Sequence, residues 1–306
     1  MKEISIIIVN FNSKELVRKC LLSIYTSTKN ISYEIIIIDN NSDDDSVEMF
    51  QKEFPEILLI RNSTNIGFGS AVNLGIKQSD AEYIFLLNPD TFLLNNVLKI
   101  FYDYFESKGN GNVWCCGANV FDQNYANTAS FGNYTSIGRI FFEQTGLNQI
   151  FKKYFFKKYL EFPQICNDQP FTVPFVLGAD MFIRRCVLEE IGVFDEDFDL
   201  NYEEAELSFR AAKSGYYSIL VHEAKIIHYG GQSYKSKELQ WLHHRRGEIL
   251  FAKKCFSSYK YFIILIIYLL GTLIRLMIKN DGYELILLKY ILRRKQKSIN
   301  QLTSVL

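Results

Sequence analysis

The chain has 306 residues, 48% hydrophobic and 22% charged, a composition suited to one large globular domain or a domain with an appendage. Its 34 basic and 34 acidic side chains cancel, which excludes a global electrostatic pull toward nucleic acid or an acidic partner. The balance hides an asymmetry: residues 251–306 hold ten basic residues and two acidic ones, so the rest of the chain is net acidic. A basic tail on an acidic body points to an anionic surface, most simply a membrane. The six cysteines are scattered without zinc-like spacing, which fits a reducing compartment better than a disulfide framework. Met1-Lys2-Glu3 leads directly into a strand pattern rather than a signal peptide, so the main body is expected in the cytosol.

Ile4–Val9 is a continuous β-branched run, the pattern of a strand covered on both faces. Ser13 to Thr26 has helical spacing, with Ser13 as the expected N-cap. Glu34–Ile38 reads as a second buried strand, stopped by Asp39-Asn40-Asn41-Ser42. Asp45 to Phe50 reads as a short helix, Ile57–Ile60 as a third strand, Ser70 to Gln78 as a helix and Tyr83–Leu87 as a fourth strand. Strands alternating with helices at this spacing predict βαβ units and a mostly parallel sheet. Ligands of such sheets bind beyond the carboxyl ends of the strands. Polar residues gather at all four ends: Asn10 and Asn12, Asp39 to Ser42, Asn62 and Asn65, then Asn88 and Asp90. Four such clusters on one edge predict a site for a polar ligand.

Residues 110–170 are less regular and rich in Asn and aromatics, either a substrate-facing insertion or a variable surface. Phe171–Val176 and Met181–Arg184 read as strands around Gly178-Ala179-Asp180. Glu203–Lys213 reads as a helix closed by Gly215, and Tyr217–Val221 and Lys225–His228 as short strands. Tyr261–Ile278 is eighteen residues with one charge, Arg275, and is apolar all round. At about 1.5 Å per residue it reaches about 27 Å, marginal for a bilayer core. An in-plane or re-entrant membrane helix, a span and a core or oligomer helix all fit the pattern.

Seven stretches then occur in order: SIIIVNFNSKELVRKCLLSI, EIIIIDNNSDD, NIGFGSAVNLGI, YIFLLNPD, GADMFIRR, FDEDFDLNYEEAELSFRAAKSGY and HYGGQS. Together they resemble the family 2 inverting glycosyltransferases, in particular the rhamnosyltransferase-like branch of bacterial surface-polysaccharide synthesis. The resemblance covers roughly residues 3–255. It implies a GT-A fold, a Rossmann-like, mostly parallel central sheet flanked by helices. On that reading residues 1–255 form the transferase domain and residues 256–306 a hydrophobic, membrane-associating helical tail.

The resemblance also implies roles for particular residues. Asn88-Pro89-Asp90 stands where the family has its Asp-x-Asp motif, which makes Asp90 the main carboxylate for Mg²⁺ or Mn²⁺ and leaves Asn88 a weaker, neutral neighbour on the donor side. Read alone, the same stretch is a type I turn with Asn first and Pro second. His228, beside Gly230-Gly231, matches a histidine that completes the metal site or contacts the diphosphate. Asp39 matches the residue that bonds the donor's pyrimidine, and Val9, Asn10 and Phe11 match the segment lining base and ribose. Gly67 and Asn73 belong to a glycine-bearing turn and helix near the donor. Asp39 also fits an Asx-turn or helix cap. Glu204 aligns with the catalytic base that takes the acceptor's proton, with Glu203 as a possible substitute on the acceptor side; acidic residues at a helix start are also favoured by the macrodipole. Gly178, Ala179 and Asp180 match the segment beside the acceptor, with pairing of Asp180 to Arg184 or Arg185 as the alternative. By spacing alone, Trp241, His244 and Arg245 share one helical turn, suited to membrane phosphates or the donor diphosphate, or to a solvated helix with one packed tryptophan.

The expectation is an inverting glycosyltransferase that moves a sugar from a UDP- or dTDP-sugar to a saccharide, lipid-linked acceptor at the cytoplasmic face of the membrane, as a peripheral or monotopic protein, without nucleic acid. Asn88 and Glu204 depart from the usual aspartates. They leave a non-catalytic nucleotide-sugar-binding or scaffold protein as the alternative.

Overall fold

The computed structural model describes residues 2–107, 109–160, 169–230, 236–278 and 282–292. In chain order the elements are β1 (Ile4–Asn10), α1 (Lys14–Ser27), β2 (Tyr33–Asp39), α2 (Ser46–Glu53), β3 (Leu58–Arg61), α3 (Phe68–Gln78), β4 (Tyr83–Leu87), β5 (Thr91–Leu93), α4 (Val97–Glu106), β6 (Val113–Phe121) and β7 (Phe131–Gly132). Helices α5 (Ile137–Thr145), α6 (Leu147–Ile150) and α7 (Lys152–Phe155) follow, the last running into a π-helical turn at Phe156–Leu160. Then come β8 (Phe171–Val173), β9 (Phe175–Val176), β10 (Asp180–Arg184), α8 (Arg185–Ile191), α9 (Glu203–Lys213), β11 (Tyr217–His228), α10 (Lys237–Cys255), α11 (Ser258–Ile278) and α12 (Gly282–Leu292).

These elements form two compact units. The first comprises Met1–Gly132, Asn167–Glu196 and Leu207–Gln232; the second comprises Asn133–Cys166, Asp197–Glu206 and Ser233–Leu306. The division passes through α9 after Glu206, and α10 belongs with the tail helices.

The first unit is built on a sheet ordered β3-β2-β1-β4-β10-β6-β11-β5, with β8 also paired to β11. β1 pairs in parallel with β2 and β4, and β2 with β3, because each crossover carries a helix that returns the chain to the same edge. Beyond β4 the sheet is mixed: β10 enters antiparallel between β4 and β6, and β11 runs parallel to β6. β1 is buried along its whole length, as its unbroken β-branched run requires. One face of the sheet packs an aromatic cluster in which Phe182 lies 5.2–6.1 Å, ring to ring, from Tyr83, Phe85, Phe101 and Phe105.

On the other side α3 approaches closely at Gly75. A Cβ there would sit 2.6 Å from Ile7 Cγ2 and 2.9 Å from Ile38 Cδ1. Overpacking of this kind typically costs about 1–3 kcal/mol. Gly75→Val is therefore expected to lower the melting temperature by several degrees, read by thermal denaturation.

Local details differ from the sequence reading for identifiable reasons. Ser13 stands at the N-cap of α1, but its hydroxyl donates to Phe11 O, and the amide of Lys14 is taken by Asp44 Oδ2 at 2.8 Å. Pro174 divides Phe171–Val176 into β8 and β9, which pair with different partners. Tyr217–Val221 and Lys225–His228 are one strand with a register irregularity between Val221 and Lys225. β6 lies inside the stretch that showed no clear pattern, and α4 follows β5 as a helix with Val97, Leu98, Phe101 and Phe105 inside.

The second unit is helical. Ile140 of α5, Leu242 and Ile249 of α10, Ile264 and Tyr268 of α11, and Leu287 and Tyr290 of α12 form its core. α11 is long and apolar enough to cross a membrane by length and composition, alone in this among the described residues. It buries Ile264, Tyr268, Gly271 and Thr272 and exposes Phe262, Ile266, Leu270, Leu273, Ile274, Met277 and Ile278 along another side. Residues 279–281 and 293–306 of the expected tail lie outside the described residues.

Candidate active site

Within the first unit, the carboxyl ends of β1 and β2 meet in a web of short polar side chains. Asn10 Nδ2 donates to Asp39 Oδ1 at 2.9 Å and to Ser42 Oγ at 3.0 Å, and the amide of Ser42 donates to Asp39 Oδ2 at 3.0 Å. Asp39 thus makes the Asx-turn its sequence allowed. Each carboxylate oxygen has a further lone pair for an incoming N–H. Asn10 Oδ1 is buried and has no hydrogen-bond donor among the described residues, so this edge offers an unanswered acceptor. Val9 is buried beneath it, whereas the Phe11 ring is 46% exposed, available as a stacking face.

The web extends to the third strand and to α3. Asn62 donates to Asn40 Oδ1 at 2.8 Å, and Asn40 Nδ2 reaches Gly67 O at 3.2 Å. Gly67 caps α3 at φ 88°, left-handed backbone that glycine adopts without strain. Asn73 points its amide elsewhere: it donates to Phe194 O at 2.9 Å and accepts from the Phe194 amide at 3.1 Å, clamping the segment that follows α8.

The next strand end carries the turn Asn88-Pro89-Asp90-Thr91, closed by the Thr91 amide to Asn88 O at 3.2 Å. β5 leaves this turn and pairs with the end of β11, setting Thr91 opposite His228. That register brings His228 Nε2 to 3.1 Å from Asp90 Oδ1, while the Tyr229 amide bonds Asp90 O at 3.0 Å. The Asp90 carboxylate is nearly buried, with the imidazole as its side-chain partner. Gly230 follows at φ 59°; Gly231, Gln232 and Ser233 of the same motif lie outside the described residues. Among the described residues no cluster of three or more His, Cys, Asp or Glu is placed to hold an ion. One or two carboxylates suffice where substrate phosphates and water complete the shell, which is how Mg²⁺ is usually held. Asp90 is one such carboxylate, with His228 beside it and Asn88 in the same turn.

Gly178 and Ala179 adjoin this turn, since the Asn88 amide donates to Ala179 O at 2.9 Å. Asp180 turns inward, is 0% exposed, and accepts from the Ala118 amide at 2.5 Å. Burial pushes its carboxyl well above the usual range. Its Oδ1 has no partner among the described residues. Neither arginine pairs with it: Arg184 donates to Val113 O and Phe105 O, and Arg185 to Ala81 O and Ser79 O.

In the second unit Glu203 and Glu204 open α9. Glu203 is buried, and its Oε2 has no partner among the described residues; burial, then the neighbouring Glu204, push its carboxyl well above the normal range. Glu204 is more open, and burial pushes it up to about 7. Two adjacent carboxyls driven upward, one enclosed and one reachable, have the electrostatics of an acid/base pair at neutral pH. Of the α10 trio, Arg245 pairs with Glu143 and Glu248, His244 stacks on Tyr202, and Trp241 borders a cavity of about 460 Å³. Tyr202 and Glu248 carried no signal in the sequence reading, because a tyrosine in left-handed backbone has no composition signature.

The family model of glycosyl transferase family 2 matches residues 5–192. The chain belongs to glycosyl transferase family 2. Poly(ribitol-phosphate) beta-N-acetylglucosaminyltransferase TarP of Staphylococcus aureus (strain N315) is 25% identical over 256 residues, 78% of this chain and 76% of TarP. N-acetylglucosaminyl-diphospho-decaprenol L-rhamnosyltransferase of Mycobacterium tuberculosis (strain H37Rv) is 21% identical over 215 residues, 65% of this chain and 67% of that protein. The crystal structure of GalNAc-T7 with UDP, GalNAc and Mn²⁺ superposes with a TM-score of 0.60 at 14% identity, over 83% of this chain and 48% of the other. That likeness shows the GT-A fold, and the chain spans about half the length of the GalNAc-T7 chain.

Proposed function

We propose that the protein is a divalent-metal-dependent, inverting glycosyltransferase that moves a sugar from UDP or dTDP to a saccharide acceptor carried on a lipid. The observation that carries this reading is the Asp90–His228 pair, set at 3.1 Å on the sheet edge that also holds Asp39 and Asn10. Asp39 receives the one N–H of the pyrimidine with Asn10 beside it, Val9 and Phe11 wall the base and ribose, and Gly67 lets the backbone pass close to the donor. Asp90 and His228 hold Mg²⁺ or Mn²⁺, with Asn88 beside them. When bound, the cation neutralises charge that builds on the departing diphosphate. Glu204 takes the proton of the attacking hydroxyl, with Glu203 enclosed beside it. Gly178 and Ala179 border the acceptor, over a strand end that Asp180 fastens to β6.

The name of the mycobacterial relative specifies a sugar on a decaprenol diphosphate, which supports a lipid-linked acceptor here. α11 supports the same reading. It exposes a lengthwise apolar stripe, while Arg275 reaches Glu284 and Gln144 within the protein. A helix tethered in this way suits an in-plane, monotopic position at the cytoplasmic face better than a span. Replacing Leu270 and Met277 together by Glu is expected to weaken flotation with phosphatidylglycerol-containing vesicles at least tenfold, since each large apolar side chain contributes about 1.5–3 kcal/mol when buried.

The test of the function is direct. Purified protein is incubated with UDP- and dTDP-sugars, Mn²⁺ and lipid-linked saccharides, and the product linkage is read by NMR. An α-linked donor is expected to give a β-linked product. Retention of configuration would refute inversion. Metal-dependent nucleotide binding without transfer to any acceptor would favour the non-catalytic alternative.

A further inference from the structure

α10 carries a glutamate that the transfer reaction itself does not call for. Glu248 is 0% exposed, yet four donors converge on its carboxylate: Thr135 Oγ1 at 2.5 Å, Tyr202 OH at 3.1 Å, Arg245 Nη1 at 3.1 Å and Tyr268 OH. They come from the approach to α5, from the turn before α9, from α10 and from α11. A buried charge is weak evidence for stability, because apolar packing of similar volume usually serves as well or better. What this one fixes is Tyr202, the residue immediately before Glu203 and Glu204.

Tyr202 is an unusual residue to find there. Its φ is 72° and that of Asn201 is 68°, two successive left-handed residues of which one is a bulky aromatic. Such conformations persist only where surroundings over-determine them, and they concentrate at functional sites. Here the surroundings are α10. The Tyr202 ring stacks on His244 with centroids 5.2 Å apart and leans on Phe251, and its hydroxyl meets Glu248. Gly247 leaves the room: a Cβ there would lie 2.7 Å from Asn201 O and 3.0 Å from Tyr202 Cδ2. Arg246 holds the same turn from its other end, through Asp199 at 2.7 Å and Asp197 O at 2.9 Å. Tyr202 O in turn accepts the first backbone bond of α9, from the Glu206 amide at 2.9 Å. The start of α9, and with it the direction of both glutamates, is thus set from α10.

We propose that Tyr202, Gly247 and Glu248 are positioning residues that aim the Glu204 carboxylate at the acceptor hydroxyl. The inference rests on the reading of Glu204 as the base. Because Tyr268 lies on α11, the chain of contacts also ties the apolar helix to the turn that carries the base.

Tyr202→Phe keeps the ring and removes the hydroxyl bond to Glu248. Displacement of a reacting group by about an ångström can cost about 10²-fold in rate. The expected result in the full-length protein is a ten- to hundredfold lower kcat, KM for donor and acceptor within about twofold of wild type, and an unchanged thermal shift with UDP and Mn²⁺. If the two residues act through one another, the Tyr202→Phe/Glu204→Gln double variant is no slower than Glu204→Gln alone. A general loss of structure would instead move KM and the thermal shift and multiply with the Glu204 effect. Should Tyr202→Phe melt below assay temperature, Gly247→Ala, which presses on Asn201 O, is expected to show the same kcat-only loss. Wild-type kcat in the folded variant, or multiplicative losses in the double variant, overturns the inference alone. Wild-type turnover of Glu204→Gln overturns the base assignment and this inference with it.

Discussion

Glu204→Gln is expected to lower kcat by about 10²–10⁴-fold with donor KM unchanged, the range that loss of a general base produces. The substitution keeps shape and hydrogen-bonding capacity and removes only the ability to take a proton. Burial raises the Glu204 carboxyl to about 7. The active form is the carboxylate, so turnover is at its plateau above that pH and falls about tenfold per unit below it. The Gln variant has no such acidic limb. A kcat–pH profile of both proteins reads the two effects together, and an acidic limb that persists in Glu204→Gln would move the base elsewhere. Glu203 behaves differently because it is enclosed, away from an incoming hydroxyl, while burial and the adjacent Glu204 push its carboxyl well above the usual range. Glu203→Gln is therefore expected to retain the pH profile.

Asp90→Asn is expected to reduce kcat/KM by about 10²–10³-fold and to raise the Mn²⁺ concentration for half-maximal activity. Charge stabilisation by a bound cation amounts to several kcal/mol, and each 1.36 kcal/mol is tenfold in rate. The change leaves the turn intact: the Thr91 amide still closes on Asn88 O, and the Tyr229 amide still bonds the backbone of residue 90. The melting temperature without ligand should thus move little, which separates loss of metal from loss of fold. His228→Ala is expected to act in the same direction but less, since a neutral ligand is removed rather than the charge. Full activity of either variant in EDTA would remove the metal from the account.

The first four strands were legible to within a residue or two, because unbroken runs such as Ile4–Val9 and Tyr83–Leu87 are the signature of strands buried on both faces. Their polar ends were legible for the same reason: an abrupt change from Ile or Leu to Asn and Asp marks the edge of the sheet. β6 was not, because Cys115, Cys116, Gly117 and Asn119 break the apolar run, and the strand is stabilised by its neighbours β10 and β11 rather than by its own pattern. The partner of Asp90 depended on a register: β5 has three residues, and only its pairing with β11 brings His228 alongside. Asn73 matched a motif by position, but where its amide points is decided by the backbone of Phe194, more than a hundred residues away. The support behind Glu204 was the least legible part. Tyr202 has a backbone conformation that local propensity argues against, and it is imposed by a helix distant in sequence.

Whether this sheet edge holds a nucleoside diphosphate through a divalent cation is read by a thermal-shift measurement. A ligand present at a hundred times its dissociation constant stabilises the native state by about 2.7 kcal/mol. UDP or dTDP with Mn²⁺ is expected to raise the melting temperature of the wild-type protein by several degrees, with the rise lost in EDTA and in Asp90→Asn. No shift with either nucleotide, or an equal shift in EDTA and in Asp90→Asn, contradicts binding through the cation at this edge.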